Sequence, residues 1–346
     1  MAEELNERSQ NILEAIVEDY IASAEPIGSR AITRRHSFNL SPASVRNVMS
    51  DLEEMGFLCS PHTSAGRIPT EKGFHYYIDS LLQVRDLSKQ EVAQLRKNYR
   101  FKGMKMEDVM QEVGRVMSGL SNYTGLVMAP KFASTVFRQI EFVRLSHGRL
   151  LVIFVSESGL VQNKVIKADP SLDQRDLEQI SNYLNRELNG MSIHAVREKI
   201  AQELQTERAR YDQLQKRALT ISRAALQEEA EELLFVSGAS RMLEQPEFSS
   251  PEQMKRIIQT LESKKLLIDL LDRSHDAQGV QIFVGSQIQN SEIHGCSLIT
   301  AKFSNKKGAV GTLGVIGPVR MDYSQVIPIV DFTAQLVSRI MEREVE

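Results

Sequence analysis

Residues 40–58 read LSPASVRNVMSDLEEMGFL, and this stretch decides how the amino-terminal part of the chain folds. Ser41 is a good N-cap, and Pro42 suits the first helical position, where its missing N–H costs no hydrogen bond. Apolar side chains then recur at spacings of three and four residues, which predicts one buried face formed by Val45, Val48, Met49, Leu52 and Met55. Gly56 suits the position just after a helix. The stretch therefore predicts a short amphipathic helix that ends at Gly56.

Two further helices are predicted before this one. SQNILEAIVEDYIAS, at residues 9–23, places its apolar side chains at helical spacing. EPIGSRAITRRHSFNL, at residues 25–40, begins with a Pro and Gly break and continues as a short helix from about Ser29 to His36. Three short helices, the third reached through a brief polar turn, are typical of a helix-turn-helix unit.

The outer face of the third helix is polar and free of acids in its amino-terminal half. Ser44, Arg46, Asn47 and Ser50 lie away from the apolar face, whereas the acids Asp51, Glu53 and Glu54 come only later. Ser, Arg and Asn side chains pair with phosphates and base edges, and a recognition helix enters the major groove by its amino-terminal end. The alternative is a solvated helix face of mixed polarity.

A two-stranded ribbon is predicted next, over SPHTSAGRIPT at residues 60–70. Gly66 allows either a positive φ or a close backbone approach, and Arg67 beside it can reach a phosphate or a narrow minor groove. A carboxylate there would be repelled by the phosphate backbone. The ribbon is therefore interpreted as a wing, and the candidate DNA-binding residues are Ser41, Ser44, Arg46, Asn47, Ser50, Thr63, Ser64, Gly66 and Arg67.

Charge is segregated along the first 75 residues, although the whole chain carries a net charge of -3. Residues 1–25 carry seven acids and one base, Arg8. Residues 26–75 carry four acids against the bases Arg30, Arg34, Arg35, Arg46, Arg67 and Lys72. A local basic patch can attract nucleic acid where the global charge does not, so double-stranded DNA is the expected partner. The alternative is a winged helix that docks a protein.

The remainder of the chain predicts a mixed α and β architecture. An apolar helical stripe follows the wing and favours core packing over base stacking, and residues 83–104 form a charged helical linker. Three alternating runs from 137 to 168, with glycine turns between them, predict an antiparallel meander. Helices follow, one of them long, with an apolar seam that either packs within the chain or contacts a second copy. Strands and helices on both sides of this segment predict one α+β domain with a second module inserted.

No catalytic, cofactor or metal site is predicted. The glycines at 308, 311, 314 and 317 do not form a G-x-G-x-x-G loop, the seven histidines show no ligand pairing, and no serine stands in a nucleophile elbow. The longest apolar run, Leu150–Val155, is far shorter than the roughly 20 residues that span a bilayer. Two distant cysteines and a polar start favour the cytoplasm. We therefore expect that the protein is not an enzyme and has no membrane partner.

Four motifs give the chain a family resemblance. PIGSRAI, LSPASVRNVMSDLEEMGFL, HTSAGRIPTEKGFHYYID and, near the carboxyl end, GTLGVIGPVRMDYSQVIPIVDF resemble the HrcA family of heat-inducible transcription repressors in bacteria. The similarity runs from about residue 5 to 343 and keeps the family's order of segments.

The resemblance implies a winged-helix repressor of chaperone genes that binds an inverted repeat as a homodimer, with activity supported by the GroE chaperonin. The implied domains are a winged helix-turn-helix at 1–82, the linker at 83–104, a GAF-like α+β domain at 105–134 and 229–346, and an inserted dimerisation domain at 135–228. A cytoplasmic location, with association to the nucleoid on operator binding, follows. Two alternatives remain, a repressor that senses a small molecule in the GAF-like pocket and an enzyme that uses that domain.

Overall fold

The computed structural model describes residues 5–62, 66–98, 106–130, 136–146, 148–157, 161–167, 172–203, 220, 233–273, 279–288, 295–304 and 310–343. Within them, no helix is both long enough and apolar enough to cross a membrane. The fold is a mixed α and β one, with helices at the amino terminus and two separate antiparallel sheets behind them.

The amino-terminal part is a winged helix-turn-helix. Its elements are α1 (Glu7–Ser23), α2 (Ser29–Arg35), α3 (Pro42–Glu54), β1 (Leu58–Cys59), β2 (Ile68–Pro69) and α4 (Glu71–Tyr76). The predicted caps of α3 are confirmed, because the Ser41 side chain accepts from the Ser44 N–H and Gly56 has a φ of +77°. Met55, predicted to face inward, is only half buried, since it lies beyond the last turn of the helix. The two strands of the wing pair antiparallel.

The aromatic stripe after the wing belongs to the core. Phe74 and Tyr77 are 2% and 4% exposed, which supports core packing rather than base stacking. The chain continues from α4 as a π-helical turn, Tyr77–Leu81. In the described part of the linker, helix α5 covers Lys89–Asn98, and residues 83–88 before it are not helical.

A five-stranded antiparallel sheet forms the centre of the molecule, in the order β7-β3-β10-β9-β8. Its strands are β3 (Thr124–Met128), β7 (Leu234–Ser237), β8 (Val280–Val284), β9 (Cys296–Ser304) and β10 (Val310–Pro318). One face packs against α6 (Met106–Ser121) and α12 (Tyr323–Arg343). The other face packs against α9 (Ala239–Leu243), α10 (Pro251–Glu262) and α11 (Lys264–Asp272).

Two predictions for this region were wrong in detail. The stretch PEQMKRIIQTLESKKLLIDLLD predicts one helix over residues 251–272, but Ser263, with ψ at 84°, leaves the helical region and separates α10 from α11. The stretch GVQIFVGSQI predicts a strand over residues 279–288, but the strand stops at Val284, and the chain closes a 3₁₀ turn, Gly285–Ile288, in which Gly285 has a φ of +52°.

The inserted segment has its own sheet and its own core. The predicted meander is confirmed as β4 (Phe137–Leu145), β5 (Arg149–Ser156) and β6 (Val161–Lys167), followed by α7 (Gln174–Leu188) and α8 (Ile193–Glu203). Apolar side chains on one face of the sheet pack against α7 and α8. The apolar seam begins with Val196 and Ile200, which are buried here, and its continuation from Leu204 onward lies outside the described residues.

Candidate nucleic-acid interface

The outer face of α3 carries three of the predicted residues in exposed positions. Arg46, Asn47 and Ser50 are exposed at spacings of one, three and four residues, so they share one side of the helix. The opposite side is fixed in the core by Val45, Val48, Met49 and Leu52, which are all buried. Within the described ranges, Arg46 forms no ion pair, so its guanidinium is available to a ligand.

Two of the predicted residues have a local role at the start of α3. Ser41 Oγ accepts from the Ser44 backbone N–H at 3.1 Å and lies 3.1 Å from Ser44 Oγ. Ser44 is half buried, whereas Ser41 is exposed. Because Ser41 satisfies one of the free N–H groups of the first turn, it holds the end of the helix that would enter the groove.

Arg8 joins this surface, although the sequence reasoning did not select it. Its Nη2 donates to the Ser44 carbonyl oxygen at 3.3 Å, and the side chain is exposed. The contact brings a cation from the first turn of α1 to the amino-terminal end of α3. The signal in the sequence was weak but present, since Arg8 is the one base among the first 25 residues.

The base of the wing is fixed by a backbone bridge. Ile27 N donates to the Arg67 carbonyl and Arg67 N donates to the Ile27 carbonyl, both at 2.9 Å. A Cβ on Gly66 would stand 2.8 Å from Ile27 N and closer still to the carbonyl group of Ile27. The structure thus shows close backbone approach, the second of the two reasons predicted for a glycine there. Thr63 and Ser64 lie outside the described residues.

Arg67 is already engaged within the protein. Its Nη2 lies 2.7 Å from Glu53 Oε2, so the wing is tied to the last turn of α3. Its Nε is buried and has no acceptor among the described residues. Burial raises the pKa of the neighbouring Cys59 thiol, Glu53 raises it further, and Arg67 opposes both effects. Arg67, predicted to reach a phosphate or a narrow minor groove, thus pairs with Glu53 in the unbound protein, and its contact with DNA stays a prediction.

The basic patch counted in the sequence is partly neutralised by the fold. Arg35 and His36 both lie beside Asp19, at 3.2 and 3.3 Å. Lys72 donates to the Met55 carbonyl at 2.8 Å and stands over the ring of Phe57. Among residues 5–62 and 66–75, the exposed arginines that form no ion pair are Arg8, Arg30, Arg34 and Arg46. The usable positive charge is thus concentrated around α2 and the start of α3.

Comparisons with known proteins agree with this architecture. A family model described as the HrcA protein C terminal domain matches residues 107–327. A protein of Geobacter sulfurreducens named heat-inducible transcription repressor HrcA is 49% identical over 341 residues, covering 99% of both chains. A protein of the same name from Syntrophobacter fumaroxidans is 40% identical over 341 residues, covering 98% of both.

One solved structure shares the fold over its whole length. It is a crystal structure of a hypothetical protein at 2.2 Å resolution, with a TM-score of 0.62 and 21% identity, covering 99% of this chain and 100% of that one. This likeness concerns the fold alone. From the family model and the full-length relatives, the chain belongs to the HrcA family of heat-inducible transcription repressors.

Proposed function

We propose that this repressor binds an inverted-repeat DNA operator as a homodimer in the cytoplasm, lowers transcription of heat-shock chaperone genes, and depends on the GroE chaperonin for its active form. The observation that carries the proposal is the pair Arg46 and Asn47, exposed side by side on a capped helix whose other face is buried. Arginine pairs with guanine and asparagine with adenine in the major groove. No catalytic role is proposed for any residue.

The other interface residues divide by role. Ser44 and Ser50 flank the two base readers, and Ser41 holds the start of the helix through its cap. Arg8 lies beside Ser44 and is proposed to contact the phosphate next to the groove. Thr63 and Ser64 are proposed to meet the backbone from the wing, whose position depends on Gly66. Arg67 pairs with Glu53 through one Nη and is proposed to offer the other to a phosphate.

The inserted sheet supports dimerisation. Its inner face packs against α7, while Leu151, Ile153 and Val155 of β5 run along the middle of its outer face, with Glu141 and Asn163 on either side of Ile153 in register. Val143 and Val165 lie on either side of Leu151 in register, and both are more than 40% exposed. Val161, beside Val155, is 60% exposed. Exposed valines of this kind are costly in water, and a second copy of the same sheet would cover them.

The domain division remains part of the proposal. The insert at 135–228 has a separate buried cluster, which supports its treatment as a distinct module. The winged helix at 1–82 and the GAF-like domain at 105–134 and 229–346, by contrast, share one continuous buried cluster from Leu5 to Met341. We therefore treat these two, with the linker at 83–104, as units that are joined rather than merely tethered.

Alanine substitutions on α3 test the proposal. Arg46→Ala and Asn47→Ala are expected to lower operator affinity by about 1–3 kcal/mol each while leaving affinity for random duplex nearly unchanged. Matched controls are Arg115→Ala, a 73% exposed arginine on α6, and Asn11→Ala, an exposed asparagine on α1. If both substitutions weakened binding to operator and to random duplex equally, the two residues would contact phosphates rather than base edges.

A repressor that responds to a small molecule is the second candidate, and one cleft favours it. A cavity of about 520 Å³ lies between α1, the linker and the sheet domain, rather than within the GAF-like sheet. Tyr77 lines it, is 4% exposed, and has no hydrogen-bond partner for its hydroxyl in the described ranges. Glu14, Glu18 and Asp322 line it against one base, Arg85, so a ligand with positive charge would be favoured. A rise in Tm with 1,4-diaminobutane that Tyr77→Phe reduces would support this reading, and no shift would remove it.

A further inference from the structure

The carboxyl-terminal end of α1 carries no cation of its own. The last turn of the helix contains no basic residue, and the Tyr20 carbonyl is the one that the C-cap N–H of Ala24 satisfies. The carbonyls of Ile21 and the two residues after it have no partner within the helix, and the helix dipole makes this end negative. A donor with positive charge is the natural partner for such an end, and the local sequence does not provide one.

Arg320 provides it from the other end of the chain. Its Nη1 donates to the Ile21 carbonyl oxygen at 2.9 Å, across 299 residues of sequence. The side chain is 12% exposed, and Nε forms an ion pair with Glu247, which is also largely buried. Nη2 donates to Gln245 Oε1 at 3.3 Å. The guanidinium is therefore held in one orientation by the sheet domain while it binds the end of the first helix of the winged domain.

A second contact joins the two domains at a different place. Glu71, the first residue of α4, accepts the backbone N–H of Ser286 at 3.0 Å. Gly285, next to it, packs so closely against the Glu71 carboxylate that a Cβ has no room. In the shared apolar cluster, the rings of Phe74 and Tyr323 lie 6.3 Å apart. The two polar contacts and this ring contact together restrain the angle between the domains.

We propose that Arg320 is a positioning residue that sets the angle at which the winged helix leaves the sheet domain, and thereby determines the half-site spacing that the dimer accepts. The inference rests on the proposed function, since only a homodimer on an inverted repeat has a spacing. In such a dimer each recognition helix must arrive on the same face of the duplex, and half-sites lie about 10 bp or a multiple apart. A winged helix that turned freely on its linker would tolerate other separations.

The test uses the full-length protein and the inverted repeat that the wild type selects from a random duplex library. Affinity is measured for that repeat, for repeats with the spacer changed by two base pairs in either direction, and for a single half-site. Wild type should discriminate between spacings by on the order of tenfold, a difference of about 1.4 kcal/mol. Arg320→Gln should lower this discrimination to about twofold while half-site affinity stays unchanged, because the reading surface is not altered.

Further variants keep the result interpretable. Arg320→Gln leaves Glu247 buried without its partner, so Glu71→Ala, which breaks the other contact, should relax spacing in the same way without that burden. The matched control is Arg273→Gln, which removes a guanidinium that donates to the Ile288 carbonyl at 3.0 Å within the sheet domain and should keep the wild-type spacing profile.

The outcomes separate the inference from the function beneath it. If wild type selects no inverted repeat, the proposal that it binds an operator as a homodimer is refuted, and the inference is refuted with it. If wild type discriminates between spacings, and Arg320→Gln and Glu71→Ala discriminate as strongly as wild type does, only the inference is overturned. A loss of half-site affinity in Arg320→Gln with an unchanged ratio between spacings would likewise overturn it, because that result describes a purely structural arginine.

Discussion

Gly66→Ala should separate DNA affinity from global stability. The new Cβ would face the peptide group of Ile27, with Ile27 N at 2.8 Å, and backbone cannot rotate away as a flexible side chain can. Either the wing or the Ile27 segment has to move, and the two hydrogen bonds between Ile27 and Arg67 are strained or lost. At about 0.5–1.5 kcal/mol for each bond, the expected loss in unfolding free energy is about 1–3 kcal/mol.

A loss of this size leaves most of the protein folded, because domains are stable by about 5–15 kcal/mol. The wing, however, is displaced from α3, so operator affinity should fall further than stability does. Urea unfolding gives the first quantity and operator titration at fixed salt gives the second. Gly28→Ala is the matched control, since nothing lies within 4 Å of a Cβ at that neighbouring position. Unchanged stability and affinity in Gly66→Ala would show that the bridge does not determine the position of the wing.

Three further predictions concern the wing, the dimer and the chaperonin. Arg67→Ala should weaken operator binding and reduce the slope of log affinity against log salt concentration by about one. Glu53→Gln, which frees the arginine, should make that slope steeper. If both variants bind more weakly and the slope is unchanged, the pair only supports the wing. Val165→Glu on the outer sheet face should give monomers in sedimentation, because it would bury a charge in the interface. Val84→Glu, at a site equally exposed, should remain dimeric. A dimeric Val165→Glu would exclude this face as the dimer interface. Titration with stoichiometric operator should show that chaperonin raises the competent fraction while the Kd stays fixed, and a tighter Kd at constant fraction would contradict that account.

Helix α3 was predictable because all its signals are local. Ser41 and Pro42 mark its start, the apolar period marks its buried face, and Gly56 marks its end, within one stretch of 16 residues. The exposed positions of Arg46 and Asn47 follow directly from that period. The meander was predictable for the same reason, since alternation and glycine turns are properties of neighbouring residues.

The features that the sequence did not reveal depend on distant partners. Counting charges could not show that Glu53 occupies Arg67, because a sum of charges contains no geometry. Arg8 was counted as an isolated base in an acidic segment, although the fold brings it to Ser44, 36 residues away. The break at Ser263 contains neither glycine nor proline, so the helical spacing of apolar residues continues through it in the sequence. The contact between Arg320 and Ile21 spans nearly the whole chain.

The arrangement of buried clusters predicts how the protein melts. One cluster joins α1, α3 and α4 of the winged helix to α6, α12 and one face of the five-stranded sheet, and a second covers the other face of that same sheet. The two clusters use the same strands, because alternate residues of each strand face one cluster or the other. We therefore expect these parts to lose their packing together. The described buried residues of the insert, among them Phe154, Ile180 and Leu184, form a separate cluster.

Calorimetry should therefore resolve two transitions rather than three. Ile180→Ala should lower the transition of the insert alone, and Ile16→Ala should lower the joint transition of the winged helix and the sheet domain. The expected cost is about 2–5 kcal/mol in each case, as for other buried isoleucines cut to alanine. If Ile16→Ala shifted a separate transition of the winged helix and left the sheet domain unchanged, the joint would be too weak to fix the angle between them, and the DNA-binding unit would behave as a tethered domain.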